Sequence, residues 1–157
     1  MRMWHYKLIP YLPDLQLKGQ LRELVAIMHN WRDKGIPNHM LINVVINYDK
    51  SEFYSYFDWY KYNYEKRFKK SFSENYVKEF QDFCNVHPST NTAPKDSLMK
   101  FPSIFAGWHD RNYLRVCMAN LYEKHRFSFM SKSKIDVSDW QRLCEGYRYI
   151  TGEDYEI

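Results

Sequence analysis

The stretch from Asp14 to Met28, which reads DLQLKGQLRELVAIM, decides the fold class of this chain. Its apolar residues follow the spacing i, i+4, i+7, i+8, i+11 of a helix that packs on one face: Leu17, Leu21, Leu24, Val25 and Met28. Pro13 precedes the stretch, and Asp14 is predicted to be the N-cap. The sequence therefore predicts a long amphipathic helix from this point.

Helical spacing recurs along the rest of the chain. A second helix is predicted to begin near Asp49, because Asp49 and Glu52 stand three residues apart as in a capping box. Its apolar residues are Phe53, Phe57, Tyr60 and Tyr64. Weaker patterns of the same kind predict helices over 74–84, 110–125 and 138–149.

Residues 41–48, LINVVINY, fit two structures. Their composition is that of a strand, but a short buried helix accounts for it equally well. A polar surface loop is predicted over 86–97, and no repeat or linker divides the chain. We therefore expect residues 1–157 to form a single compact all-α domain with a bundle-like arrangement of helices.

The composition agrees with one ordinary globular core. The chain has 157 residues, of which 45% are hydrophobic and 18% aromatic, and this excludes a disordered or loop-rich chain. It has neither a long apolar run nor a secretory leader, so we expect a soluble intracellular protein with no membrane partner. The cysteines, Cys84, Cys117 and Cys144, are widely spaced and are interpreted as reduced packing residues.

The charge is unevenly distributed. The formal net charge is +4, but residues 136–157 carry two arginines and six acidic residues, which leaves +8 on residues 1–135. A basic body suggests a polyanionic partner such as nucleic acid, although proteins that bind no nucleic acid also reach this charge. The patterns GxxxxGK[ST], GxGxxG, GxSxG and HExxH do not occur. Their absence argues against phosphate-loop, dinucleotide and zinc-hydrolase chemistry, and we predict neither a metal nor another cofactor.

One flank of the first predicted helix carries a glutamate. At 100° per residue, Gln16, Gln20, Glu23 and Ile27 lie along one margin of the apolar stripe. Partial desolvation of a carboxylate raises its pKa toward the range that suits acid–base catalysis. Glu23 is thus a candidate catalytic residue; the alternative is a solvated glutamate paired with a neighbouring cation.

Two basic stretches are candidate phosphate contacts. The segment 61–70, KYNYEKRFKK, interleaves cations with aromatic residues, and we expect Tyr64 and Phe68 to be core while the cations attract DNA without reading sequence. On the 110–125 helix, arginines stand one turn apart, with a lysine further along. The candidate contacts are Lys66, Arg67, Lys69, Lys70, Arg111, Arg115 and Lys124; a solvated helix face is the alternative for each.

Several segments form an ordered set that points to a known family. They are Met1-Arg2, LPDxQL at 12–17, Arg22-Glu23-Leu24, and YDKSEF at 48–53. Their order and spacing resemble the pyrimidine-dimer DNA glycosylases of the phage endonuclease V type. The opening MRxWHxxLIPxLP over 1–13 is similar to that of bacterial relatives, and ANLYEK at 119–124 is weakly similar to a helix of the phage enzyme. The resemblance is strong over 1–25, fair over 40–70 and faint beyond.

This resemblance implies a small, mainly helical, metal-independent enzyme. It would excise a damaged or modified pyrimidine from double-stranded DNA and then nick the abasic strand as a lyase. The nucleophile would be the α-amine of Met1, assisted by Glu23, while Arg2, Arg22 and Gln16 bind DNA. Such a protein would act as a monomer in the cytoplasm, at the nucleoid, of a bacterial or phage system.

Elementary chemistry supports an amine at the chain terminus. An α-amine titrates near ~7.7–8.0 and a lysine near ~10.4, so the terminal amine is the more readily neutral and nucleophilic at physiological pH. This sequence departs from the phage enzyme at Ala26, where the latter has an arginine, and at 86–97 and 126–139, which have no counterpart. The base excised therefore stays open. Two alternative functions are a non-catalytic DNA-binding protein and a module that binds another protein through aromatic residues.

Overall fold

The computed structural model of the chain describes residues 2–86, 104–130, 132 and 134–157. Within those ranges the regular structure is entirely helical, which confirms the predicted all-α class. The α-helices are α1 (Asp14–Lys34), α2 (Lys50–Phe68), α3 (Glu74–Cys84), α4 (Arg111–Arg126) and α5 (Val137–Thr151). Two 3₁₀ helices, Tyr6–Tyr11 and Asn43–Asn47, precede α1 and α2 respectively. The predicted loop at 86–97 lies outside the described residues, apart from Val86.

Helix α1 forms where the apolar stripe predicts it, but its first turn differs from expectation. The predicted N-cap is wrong: Pro13 occupies that position, and Asp14 is the first helical residue. The Asp14 carboxylate instead accepts a hydrogen bond from Arg67 at 3.0 Å, because a charged donor competes well for it. The helix ends at Gly35, whose left-handed backbone (φ 77°) suits glycine and whose N–H donates to the Trp31 carbonyl.

Helix α2 forms half of the predicted capping box. Asp49 is the N-cap, and its carboxylate accepts from the Ser51 N–H at 2.8 Å, which lowers the pKa of Asp49. The Glu52 carboxylate does not accept a bond from the Asp49 N–H, so that part of the prediction is wrong. This carboxylate accepts the Phe105 N–H at 3.0 Å instead, because the segment that precedes α4 packs there and offers a backbone donor.

Residues 41–48 form the short helix rather than the strand. Asn43–Asn47 is a 3₁₀ helix in which Val45 is fully buried, while the neighbouring Ile46 is exposed. Ile42 completes the contact with the core. These two apolar side chains attach the connection between α1 and α2 to the core.

The core is rich in aromatic residues, many of which come from α2. Phe57 stacks on Phe80 of α3 with ring centroids 3.9 Å apart. Tyr64 and Phe68, which were predicted to be core, are partly buried and pack against the edge of this core. The cysteines are free as expected; Cys84 and Cys117 are buried and Cys144 is half-buried. Burial raises the pKa of Cys84 to about 12 and that of Cys117 to about 11.

Helix α5 closes the domain against the first 3₁₀ helix through a close contact. A Cβ atom at Gly146 would lie 2.4 Å from the ring of Tyr11, so only glycine fits there. Arg142 of the same helix donates to the main-chain carbonyls of Tyr11 and Leu12. Among the helices of the described residues, none has the length and apolar character needed to span a membrane.

Candidate active site

The N-terminal segment, residues 2–5, has no regular secondary structure and is held by side chains. Gln20 of α1 makes two bonds to it: its Oε1 accepts the Trp4 N–H and its Nε2 donates to the Arg2 carbonyl, both at 2.8 Å. The Tyr56 hydroxyl donates to the Trp4 carbonyl at 2.6 Å and lies 3.0 Å from Gln20 Oε1. The Tyr113 hydroxyl donates to the Met3 carbonyl. Side chains of α1, α2 and α4 together therefore fix the N-terminal segment.

Two buried histidines continue this support. His5 Nε2 donates to the His109 carbonyl at 2.8 Å, and the Tyr6 N–H donates to His109 Nδ1 at 3.2 Å. The Lys7 N–H donates to His5 Nδ1, so the hydrogen-bond pattern assigns the proton of each ring to Nε2. Burial lowers the pKa of His5 to about 4 and that of His109 well below its usual range. Both rings are neutral near pH 7.

This pair predicts a specific dependence of stability on pH. The unfolded chain takes up the proton of His5 near pH ~6.5 and the folded chain only near pH 4, so stability is full above pH ~6.5 and falls as the pH drops toward 4. Lys7 opposes the imidazolium of His5, and Asp110 favours it. The expected loss from His5 alone is roughly 3 kcal/mol. Urea unfolding at pH 7, 5.5 and 4.5 measures this loss. The free energy of unfolding should change less steeply with pH in the His5→Gln variant than in the wild type; equal slopes would contradict the assignment.

Beside the N-terminal segment lies a pocket of about 300 Å³, hereafter the N-terminal pocket. Its walls come from the N-terminal segment, from α1 and from α4. The lining residues are Arg2, Trp4, Leu15, Gln16, Gly19, Gln20, Arg22, Glu23, Asn120 and Lys124. Five of the residues singled out from the sequence, Arg2, Gln16, Arg22, Glu23 and Lys124, thus meet in one place.

The N-terminal pocket is strongly polar and mostly cationic. Among the described lining residues, Arg2, Arg22 and Lys124 contribute three positive charges around one carboxylate, that of Glu23, which is half-buried. The Arg2 guanidinium lies 5.1 Å from the Trp4 ring centroid, a cation–π contact that restrains it. Met1, the predicted nucleophile, lies outside the described residues. What the arrangement offers chemically is a carboxylate among cations, which suits a phosphate-bearing ligand that develops positive charge next to the acid.

One face of α4 covers both the N-terminal segment and the pocket. Tyr113, Cys117, Asn120 and Lys124 follow helical spacing along this face. Arg115 lies nine residues before Lys124, which at 100° per residue places it on the opposite face. Arg111 also lies away from the pocket and forms an ion pair with Glu153. Arg111 and Arg115 are therefore not brought to the pocket.

The basic end of α2 is also separate from the pocket. Lys66, Lys69 and Lys70 are exposed there, and none of them lines it. The Arg67 guanidinium donates to the carbonyls of Leu12 at 2.7 Å and Pro10 at 2.9 Å, in addition to Asp14. Because those bonds hold the first 3₁₀ helix and α1 against α2, we assign Arg67 to the fold and leave it out of the DNA surface.

Sequence reasoning missed the residues that hold the chain start. The sequence places Gln20 on the same margin of the apolar stripe as Glu23. An amide at that margin is the signal that could have identified it. No sequence signal marks Tyr56 or Tyr113, because their partners are distant in the chain. Tyr56 lies 36 residues from Gln20, and Tyr113 lies 110 residues from Met3. Asn120 lies in the ANLYEK segment and was not singled out.

Larger cavities also lie elsewhere among the described residues. One of about 680 Å³ lies between the end of α2 and α3, and one of about 620 Å³ lies between α1 and α3. Neither contains a residue of the N-terminal segment, so volume alone does not locate the site. The described residues include no group of three His, Cys, Asp or Glu side chains arranged to hold a metal ion.

Comparison with protein families points to the DNA glycosylases. The family whose model matches is described as pyrimidine dimer DNA glycosylase, and the match spans residues 1–74, which is 74 of the 157 residues. It includes the N-terminal segment and the whole α1 wall of the pocket, and it confirms the resemblance found in the sequence. No curated protein and no solved structure matches the chain significantly. The likeness to this family is thus supported over slightly less than half of the chain.

Proposed function

We propose that this protein is a DNA glycosylase with abasic-site lyase activity, acting as a monomer on double-stranded DNA that carries a damaged or modified pyrimidine. The observation that carries the proposal is the shared pocket. Arg2, at the start of the described chain, and Glu23 of α1 line it together. The family match over residues 1–74 supports the choice of DNA as substrate.

In the first proposed step, the neutral α-amine of Met1 attacks C1′ of the deoxyribose. The bond from C1′ to the base breaks, and the base leaves with the bonding electrons and takes up a proton. Opening of the sugar ring then yields an imine between the amine and C1′, with the proton going to the ring oxygen. Glu23 stabilises the positive charge on the sugar and moves protons during ring opening.

In the second proposed step, the imine takes up a proton, and the resulting iminium acidifies the C2′ proton. Removal of that proton forms a C2′–C3′ double bond and breaks the C3′–O bond, so the 3′ phosphate leaves and the strand is nicked. Water then hydrolyses the imine and releases the free amine and an unsaturated aldehyde. Glu23 is the proposed acceptor for the C2′ proton.

The cations of the N-terminal pocket supply the proposed phosphate contacts. Arg22 is exposed at the pocket and stays charged, and its guanidinium can bind a phosphate through two parallel hydrogen bonds. Arg2 and Lys124 flank it from the N-terminal segment and from α4. Gln16 and Asn120 add amide groups that can contact the displaced nucleotide. Lys66, Lys69 and Lys70 would add long-range attraction only.

Borohydride trapping tests the proposal directly. A duplex with one abasic site and a duplex with one thymine dimer are each incubated with the protein and borohydride. We expect a covalent protein–DNA adduct whose attachment point maps by mass spectrometry to the Met1 amine. Without borohydride, the same duplexes should be nicked.

Three other outcomes separate the alternatives. Salt-dependent duplex binding without adduct or nick would favour a non-catalytic DNA-binding protein. No binding at low ionic strength would favour a module for protein partners. An adduct found only on an internal lysine would overturn the proposed nucleophile. A panel of duplexes with other modified pyrimidines identifies the base that is excised.

Gly19 provides a steric test of the pocket. It lies in α1 on the pocket wall, and a Cβ atom there would meet nothing within 4 Å apart from its chain neighbours and the nearby backbone of its own helix. Gly19→Ala should stabilise the helix by about 0.5–1 kcal/mol and preserve activity. Gly19→Leu should fold equally well yet fill part of the pocket, so that nicking falls by about tenfold or more. Thermal unfolding and nicking rates measure the two effects, and an active Gly19→Leu variant would count against this pocket as the site.

A further inference from the structure

We infer that Gln20 is a positioning residue for the proposed reaction. Its amide fixes the main chain of Arg2 and Trp4 against α1. In the proposed reaction it thereby positions the α-amine of Met1 relative to the N-terminal pocket. The inference rests on the proposed function and deepens it, because it assigns a role to a residue that does not itself touch the reacting atoms.

The hydrogen bonds of Gln20 define two points of one short segment. The amide accepts from the Trp4 N–H and donates to the Arg2 carbonyl, so it binds two main-chain groups that are two residues apart. A single planar amide thereby sets both the position and the direction of the segment. Gln20 is only 1% exposed, so water does not compete for these bonds.

Tyr56 holds the amide in place. Its hydroxyl donates to the Trp4 carbonyl and lies 3.0 Å from Gln20 Oε1. Tyr56 is fully buried on α2, so its hydroxyl fixes the Gln20 side chain relative to the core. The N-terminal segment is therefore attached to the rigid helices and follows their position.

The location of Gln20 connects this attachment to the chemistry. Gln20 and Glu23 are three residues apart on α1, which places their side chains on neighbouring positions of one helix flank. The tethered Arg2 carbonyl is one residue from the amine of the chain's first residue, a span of about 3.8 Å between Cα atoms. A shift of the Gln20 amide would therefore change the distance between the Met1 α-amine and the Glu23 carboxylate. Misplacement by about 1 Å can cost about 100-fold in rate.

The test compares three variants in single-turnover trapping at saturating abasic duplex. Gln20→Leu removes both bonds at similar volume, and Tyr56→Phe removes only the supporting hydroxyl. Tyr60→Phe is the matched control, because Tyr60 is a buried α2 tyrosine whose hydroxyl donates to the Leu17 carbonyl of α1 and not to the N-terminal segment. We expect the trapping rate to fall about 10- to 100-fold for Gln20→Leu and several-fold for Tyr56→Phe. It should stay unchanged for Tyr60→Phe, with the duplex Kd within about twofold for all three.

Amide hydrogen exchange provides a second readout that does not depend on activity. In Gln20→Leu the Trp4 amide should exchange about tenfold faster, while the amides of α2 keep their protection. Wild-type exchange at Trp4, a wild-type trapping rate in Gln20→Leu, or equal losses in Tyr56→Phe and Tyr60→Phe would each overturn the inference. A wild-type chain that forms no adduct overturns the proposed function instead. If Gln20→Leu does not fold, Tyr56→Phe decides the question.

Discussion

Replacing Glu23 with glutamine is expected to slow nicking at an abasic site by about 10²- to 10⁴-fold, while the affinity for the duplex stays within a few-fold of wild type. The glutamine side chain has the same shape but carries no charge and cannot accept a proton. It therefore cannot perform the proposed roles of Glu23, which are to stabilise the cationic sugar and to accept the C2′ proton, whereas the cations proposed to bind phosphate are untouched. Single-turnover nicking and fluorescence anisotropy on one abasic duplex measure the two quantities.

A matched variant separates local chemistry from net charge. Glu145→Gln makes the same change at an exposed position of α5, outside the lining of the N-terminal pocket. It should nick at the wild-type rate. If Glu23→Gln lost affinity and rate in equal proportion, Glu23 would have a structural role and not a catalytic one.

Extending the chain by one residue before Met1 is the second change with a large expected effect. The added residue displaces the α-amine by about 3.3–3.8 Å along the backbone. Since the chain start is tied to Gln20 at Arg2 and Trp4, the displaced amine cannot recover its position by sliding. We expect borohydride trapping to fall by more than about 100-fold while duplex binding persists.

The control for this experiment is the same residue added after Ile157. Mass spectrometry of each purified protein establishes which amine is free, and both proteins are then trapped on the same abasic duplex. The C-terminal extension should trap at the wild-type rate. Undiminished trapping by the N-terminal extension would rule out a terminal nucleophile.

The helices were predictable from the sequence because they depend on local periodicity. The apolar stripe after Asp14 and the shorter patterns at 74–84 and 138–149 mark α1, α3 and α5 closely. The predictions that were wrong concern side chains whose partners are distant in the sequence. Asp14 is drawn to Arg67, and Glu52 to the backbone of Phe105, and both partners lie 53 residues away in the chain.

The candidate site was predictable only in part, for the same reason. The flank of α1 that carries Glu23 follows from helix geometry, and the resemblance supplied Arg2 and Arg22. The wall formed by α4 depends on tertiary packing. Lys124 was singled out together with Arg111 and Arg115, and helix geometry already separates Arg115 from Lys124, but only the fold shows that the face carrying Lys124 is the one that lines the pocket.

The manner in which the chain start is held has a consequence for the order of folding. The bond from Tyr113 to Met3 joins residues 110 apart in sequence, and the His109 contact with Tyr6 spans 103 residues. Closing loops of that length carries an entropic cost that is repaid only when α1, α2 and α4 already lie together. We therefore expect the N-terminal segment to dock last, so that under the proposed function a partly assembled molecule would attract DNA before it could cut it.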